Sequence, residues 1–322
     1  MLDYNKGSIM ENKVLVVTNG VVNDALVLLD NRYNIVDNIN FSYDSNINID
    51  DDRVICFVDR YVDNTKVDVL TGLDNILVID TTRVNDLHML STLRNIGIDV
   101  PDYVYADNTI QYVNICENKQ YVFKSFMSAR SIGKTILDLD KLIDMYYSSA
   151  RDDIGDKTFN KLYITNEGEY RDKNEKYKVR ACIKNGAYYL QEYVDVVCEY
   201  RIISGCNLST DEVTIFARKG YGLNKENNID NMTTTLTNFK DAGIPESLLS
   251  NIADISMFTG LPFYSVDVYK DRNGKWGVFE YSFEFAVEHD YNSIMKIKYT
   301  VNKAFENYIN VRKQANTQYV TA

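Results

Sequence analysis

The sequence predicts an α/β (α+β) protein in which a small parallel-sheet domain precedes a larger, aromatic-rich antiparallel part. Lys13-Val-Leu-Val-Val17, Arg53-Val-Ile-Cys-Phe-Val-Asp59 and Asn75-Ile-Leu-Val-Ile-Asp80 are short apolar bursts, the pattern of strands covered on both faces of an open α/β sheet. From about residue 111 the strands read as longer and aromatic, some of them alternating, which marks antiparallel sheet with one wet or ligand-facing side. Length sets the scale: 322 residues, at about 150 per domain, suggest two domains.

Composition narrows the function. Apolar residues make up 45% and charged ones 25%, which excludes collagen-like, disordered and disulfide-scaffold chains. With 35 Lys and Arg against 46 Asp and Glu the net charge is −11, a field that repels phosphate backbones and anionic lipid and argues against nucleic-acid or membrane partners. No apolar run approaches the roughly 18 residues of a membrane span, and residues 1–10 lack the apolar core of a signal peptide; the expected location is cytoplasmic. The five cysteines (Cys56, Cys116, Cys182, Cys198, Cys206) are odd in number and widely spaced, so reduced thiols are expected. His88 and His289 are the only histidines, little material for a zinc site or a Ser-His-Asp relay. A metal here would be a hard cation on carboxylates.

Along the chain, a helix is expected over 85–95, with Leu87, Leu90 and Leu93 on one stripe, Gly97 to end it and Pro101 just beyond. Strands are expected over 121–126, 188–193, 199–204, 213–218, 264–270 and 275–285, and further helices over 137–149, 246–259 and 292–312. The polar stretch 151–178 reads as an insertion.

Chemistry concentrates first in Tyr264-Ser-Val-Asp267-Val-Tyr-Lys270-Asp271-Arg-Asn273-Gly274-Lys275-Trp-Gly-Val-Phe-Glu280-Tyr-Ser282-Phe-Glu284. Asn-Gly between alternating strands is the strongest short hairpin signal. A two-residue turn at Asn273-Gly274 makes Arg272 face Lys275 and Asp267 face Glu280. Cross-strand partners have Cβ atoms about 5 Å apart, where like charges repel unless a divalent cation lies between them. Alternation puts Glu280, Ser282 and Glu284 on the face of Asp267, with Phe279, Tyr281, Phe283 and Phe285 toward the core. A solvated acidic face is the plain alternative, and a longer turn at Asp271 would shift the register.

Tyr121-Val-Phe-Lys124-Ser-Phe-Met-Ser128-Ala-Arg130-Ser-Ile-Gly133-Lys134 is a strand leading into a small-residue, basic loop, a kind that offers N–H groups and cations to phosphates. It does not match G-x-x-x-x-G-K-[ST]. Lys124 shares its face with Val122 and Phe126, so it either snorkels at an edge or meets a buried anion. Third come Gln191-Glu192-Tyr193-Val194, whose backbone can hydrogen-bond a purine edge, and Glu199-Tyr-Arg201, where Glu199 can reach a ribose hydroxyl.

In this order the elements, over about residues 80–310, resemble the ATP-grasp superfamily and in particular its carboxylate-amine and amino-acid ligases. The resemblance implies an N-terminal Rossmann-like pre-ATP-grasp domain over 1–100, a central subdomain with the phosphate loop over 101–187, and a C-terminal subdomain with the metal site over 188–322, the two subdomains clasping nucleotide. It implies ATP and Mg²⁺ as cofactors. Lys124 falls where the family holds the α- and β-phosphates, and Ser128, Arg130, Gly133 and Lys134 lie in its phosphate-covering loop. Gln191, Glu192, Tyr193 and Val194 fall at the adenine hinge, Glu199 at the ribose contact, and Arg218 at the arginine facing the γ-phosphate or acyl phosphate; Arg201 is the second candidate, for orienting the carboxylate. Asp267 and Glu280 match the metal carboxylates.

Two positions depart from the family pattern: Ser282 stands where an asparagine is usual, so that Glu284 or water completes the site, and Asp86 stands where many relatives carry a first phosphate-binding lysine. The implied reaction is ADP-forming: a small-molecule or peptide carboxylate becomes an acyl phosphate, which an amine displaces. His289 and Asp290 are candidates for the substrate pocket or for plain exposed loop. Divergent members occur in tailed phages, an origin with which the Asn-, Ile- and Tyr-rich composition agrees, and base rates favour a homodimer.

Overall fold

The computed structural model describes residues 13–17, 28–29, 34–37, 54–58, 76–80, 86–106, 120–125, 135–137, 188–219, 233–283, 285 and 290–320. Four strands open the chain: β1 (Lys13–Val17), β2 (Asn34–Asp37), β3 (Val54–Val58) and β4 (Ile76–Asp80). They form one parallel sheet in the order β2-β1-β3-β4. Three are the apolar bursts; β2, Asn-Ile-Val-Asp, is too short and polar to stand out.

Helix α1 (Asp86–Asn95) follows. Leu90 and Leu93 of its stripe are fully buried. The helix ends as its sequence predicts, at Gly97: the Ile98 N–H donates to the Leu93 carbonyl (2.9 Å) and the Gly97 N–H to the Arg94 carbonyl (3.0 Å), a Schellman closure.

A second sheet holds β5 (Tyr103–Ala106), β6 (Tyr121–Ser125), β7 (Thr135–Leu137) and β8 (Tyr188–Glu192), antiparallel in the order β5-β8-β6-β7. Residue 137, expected to open a helix, instead closes β7: Leu137 pairs with Tyr121, and β-branched Thr135 and Ile136 favour the strand. The rest of 138–149 lies outside the described residues. Because β8 pairs with both β5 and β6, residues 188–192 sit in this sheet, and the crossing to the next falls at 193–195.

The third sheet is antiparallel: β9 (Val196–Gly205), β10 (Thr214–Lys219), β11 (Thr233–Thr237), β12 (Phe263–Asp271) and β13 (Trp276–Ser282), in the order β11-β10-β9-β12-β13. Three helices accompany it: the one-turn α2 (Phe239–Ala242), α3 (Glu246–Thr259) and α4 (Tyr291–Val320). The expected helix 246–259 has the observed bounds, whereas the expected 292–312 is the core of a longer helix.

Alternation sorts the third sheet into two faces. One, through Tyr264 and Tyr281, meets α3 and α1: the buried Tyr264 hydroxyl donates to the Ile252 carbonyl (2.7 Å), and the Tyr281 N–H to the Met89 sulfur (3.1 Å). Tyr264→Phe removes a buried donor without opening a cavity, so a loss of about 1 kcal/mol, read from the urea midpoint, is expected. The other face meets α4 at one end, where the Thr214 and Thr300 hydroxyls are 2.8 Å apart and the Phe305 ring stands edge-on to Phe263. Toward its opposite end the register gathers Glu199, Arg201, Arg218, Asp267 and Glu280. Among the described residues no helix is long and apolar enough to cross a membrane, and Cys198 and Cys206 are free thiols.

Candidate functional site

The β12–β13 hairpin sets the site. Its turn is one residue longer than the sequence reading: the Asp271 N–H donates to the Lys275 carbonyl (2.9 Å), leaving Arg272, Asn273 and Gly274 as the loop. The Asp271 carboxylate accepts from the Asn273 and Lys275 N–H groups (2.9 and 2.8 Å), and Gly274 takes φ 82°, a conformation that favours glycine. Arg272 therefore does not face Lys275. The strands recover the phase at a β-bulge: Val268 pairs with Val278, yet Asp267 pairs with Glu280, and Phe279 is the extra residue. Asp267 and Glu280 thus do oppose one another, through two offsetting irregularities. The bulge also corrects the orientation of Phe279, whose ring lies 4.4 Å from that of Tyr269, on the Asp267 side of the sheet. Tyr281, Phe283 and Phe285 are buried as expected.

Across the neighbouring strands a charge network closes around Asp267. Arg201, its direct partner on β9, holds both oxygens, Nε to Oδ1 at 2.8 Å and Nη2 to Oδ2 at 2.9 Å. Arg218 on β10 donates from Nη1 to the same Oδ2 (2.8 Å) and to Glu199 Oε1. The Arg218, Asp267 and Glu199 side chains are 7%, 8% and 11% exposed and Arg201 24%. Burial by itself would raise the Asp267 pKa, but the Arg201 and Arg218 guanidiniums hold it well below the usual carboxylate range. Burial likewise opposes the charge on Arg201, and Asp267, with Glu280 and Glu199 adding to it, more than restores it. Arg218 Nε is buried without a hydrogen-bond partner, which leaves the guanidinium with an unfilled donor.

The other residues singled out in the sequence are placed as follows. Gln191 is 1% exposed, and its Nε2 is a second buried donor without a partner. In the segment 192–194, the Glu192 N–H donates to the Asp102 carbonyl (2.6 Å) and the Tyr193 N–H to the Gln120 carbonyl (2.8 Å), while Val194 is half-buried at the crossing. Lys124 lies on β6 opposite Tyr189, two residues before Gln191. Ser282 pairs with Ser265 at the end of β13. Ser128, Arg130, Gly133, Lys134, Glu284 and His289 lie outside the described residues. Asp290 caps α4: its carboxylate accepts from the Asn292 and Ser293 N–H groups (2.9 and 3.2 Å) and the Ser293 hydroxyl (2.7 Å). Capping, rather than a substrate pocket, is what its geometry serves.

Glu199, the expected ribose contact, is in this structure the second anchor of Arg218. The signal was present in the sequence, since positions 199 and 201 share a face of one strand; what the sequence could not give was the register of β10 against β9.

Three carboxylates, two guanidiniums and an unfilled arginine donor suit an anion accompanied by a hard cation. Among the described residues no cluster of three or more His, Cys, Asp or Glu can hold a metal unaided. Two carboxylates completed by phosphate oxygens and water is the usual Mg²⁺ arrangement at nucleotides.

No protein-family model matches the sequence, and no curated protein matches it. Solved structures do. ATP-grasp ligase PsnB, complexed with a phosphomimetic variant of its minimal precursor, Mg and ADP, superposes with a TM-score of 0.51 at 11% identity, over 93% of this chain and 98% of that one. The carboxyaminoimidazole ribonucleotide synthase of Aspergillus clavatus, complexed with ATP, gives 0.53 at 11% identity over 92% and 77%. A RiPP-associated ATP-grasp ligase of Chryseobacterium gregarium, in complex with ADP and a leader and core peptide, gives 0.51 at 11% over 91% and 95%. At such identity the likeness speaks for the fold, and the fold of this chain is that of the ATP-grasp superfamily.

Proposed function

We propose that this protein is an ATP-dependent, ADP-forming ligase that joins a carboxylate to an amine through an acyl phosphate, with a small molecule or a peptide as substrate. The observation that carries the reading is the half-face on which Glu199, Arg201, Arg218, Asp267 and Glu280 converge, in a fold shared with ligases solved with ADP, ATP or Mg. Gln191 supports it from the second sheet, as a buried amide whose unfilled donor suits a purine edge.

Asp267 and Glu280 would hold Mg²⁺, with the Ser282 hydroxyl as a weaker oxygen ligand. The cation, when bound, offsets phosphate charge and polarises the γ-phosphoryl group. Lys124 steadies the α- and β-phosphates, and Arg218 stabilises the charge that spreads over the transferring phosphoryl oxygens. Arg201 presents a planar fork that matches the substrate carboxylate. Gln191, Glu192, Tyr193 and Val194 receive adenine through side chain and backbone, although the Glu192 and Tyr193 N–H groups are already spent within the protein. Glu199 keeps Arg218 in place through Oε1 and is the ribose contact. Ser128, Arg130, Gly133 and Lys134 cover the phosphates, so that water does not hydrolyse the intermediate. A carboxylate oxygen attacks the γ-phosphorus and ADP leaves; the amine nitrogen then attacks the acyl carbon, phosphate leaves, and the nitrogen gives up a proton.

One observation favours a second reading, a nucleotide-binding or adaptor protein that does not turn over: Asp267 is already held by two arginines. A single series separates the readings. Thermal unfolding with ATP and Mg²⁺ at 100 times the dissociation constant should show about 2.7 kcal/mol of stabilisation, less with EDTA and less in Glu280→Ala and Lys124→Ala. ADP release on a panel of carboxylates and amines supports the ligase. A shift with no ADP from any pair supports the second reading, and no shift at saturating nucleotide removes both.

A further inference from the structure

Asp267 accepts three N–H bonds, two from Arg201 and one from Arg218. A carboxylate offers about four lone-pair directions, so three of the approaches a cation would use are filled by groups of its own sign. Glu199 is likewise engaged by Arg218. A divalent ion arriving alone must displace a mostly buried guanidinium and leave it with only the neighbouring glutamates to balance its charge. A polyphosphate changes that balance, since its oxygens match the guanidinium fork and one of them can fill the Arg218 Nε donor that the protein leaves unpartnered.

We propose that Arg201 and Arg218 are built-in counter-ions that close Asp267 to a divalent cation in the nucleotide-free protein, so that metal enters only together with a polyphosphate that draws the guanidiniums away. This rests on the ATP-site reading above and adds an order to it: the phosphate side opens the metal side. Glu280, opposite Asp267 and close enough to Arg201 to act on its charge, then becomes the second ligand of a site that did not exist before.

Mn²⁺ serves as the probe, its free concentration read by electron paramagnetic resonance with no nucleotide present. Wild-type protein is expected to leave the free signal unchanged, whereas Arg201→Gln gains one Mn²⁺ per chain with at least tenfold tighter binding, and adding Glu280→Gln abolishes the gain. Circular dichroism and the unfolding temperature establish that the variant folds. Should it not, Arg201→Lys, which keeps the charge but gives up the bidentate hold, takes its place with a smaller gain expected. Wild type binding Mn²⁺ as tightly as the variants overturns the proposal, and so does the absence of Mn²⁺ binding in all of them. Failure of the ATP-site reading shows separately, as a wild-type protein whose unfolding temperature does not respond to Mn²⁺ with ATP.

Discussion

Asp267→Asn is expected to lower stability by about 3–5 kcal/mol, the loss typical when one partner of a buried ion pair is removed and the other stays. The substitution nearly preserves shape, yet it leaves two arginines, one 7% and the other 24% exposed, with only the neighbouring glutamates to balance them. Urea midpoints at neutral pH measure the gap, and its pH dependence tests the cause. Held below its usual range when folded, the Asp267 carboxyl binds protons less readily in the native than in the unfolded chain. Its contribution is therefore complete above the ordinary aspartate value of about 3.9 and is lost as pH falls from there toward the folded value. The wild-type and Asn curves should converge below about pH 4. A gap as wide at pH 3 as at pH 7 would mean that the network does not depend on this charge.

Gly205→Ala should also be costly, for a purely steric reason. A Cβ there would lie 2.4 Å from the Pro262 carbonyl oxygen, 2.5 Å from the Ala304 Cβ and 3.0 Å from the Phe263 Cα. The first of these is backbone already fixed by the Cys206 N–H, which donates to it at 2.9 Å. Since β9 meets β12 and α4 at this point, relief requires moving whole elements, and overpacking of this kind costs about 1–3 kcal/mol. The unfolding temperature should fall. Adding Ala304→Gly should recover part of the loss, because it removes the methyl contact and leaves the Pro262 clash; full recovery would place the strain on α4 alone.

The elements that could be read from the sequence were those with their own punctuation. Gly97 marks the end of α1, and three apolar bursts became parallel strands. β2, β5, β7 and β11 were missed, being three to five residues long and defined by what they pair with. The site was legible as a parity: Asp267 opposite Glu280, with 199 and 201 on one face. Its network was not, because the sequence says nothing of β9 lying between β10 and β12, and that placement turns two separate arginines into partners of a single carboxylate. The hairpin combines both lessons, for Asn-Gly announced the turn but could not reveal that the loop takes three residues or that Phe279 bulges to restore the phase.

That same bulge bears on how an open sheet edge is protected. β13 is an edge of the five-stranded sheet, and an open strand edge is a template on which another chain can add. Here the Val278 N–H is taken by the Asp99 carbonyl (2.9 Å), the Tyr281 N–H by the Met89 sulfur (3.1 Å), and between them Phe279 breaks the repeat. An intruding strand would find no unbroken row of donors and acceptors from 278 to 281. The irregularity that sets Glu280 opposite Asp267 also guards this edge against sheet-to-sheet aggregation.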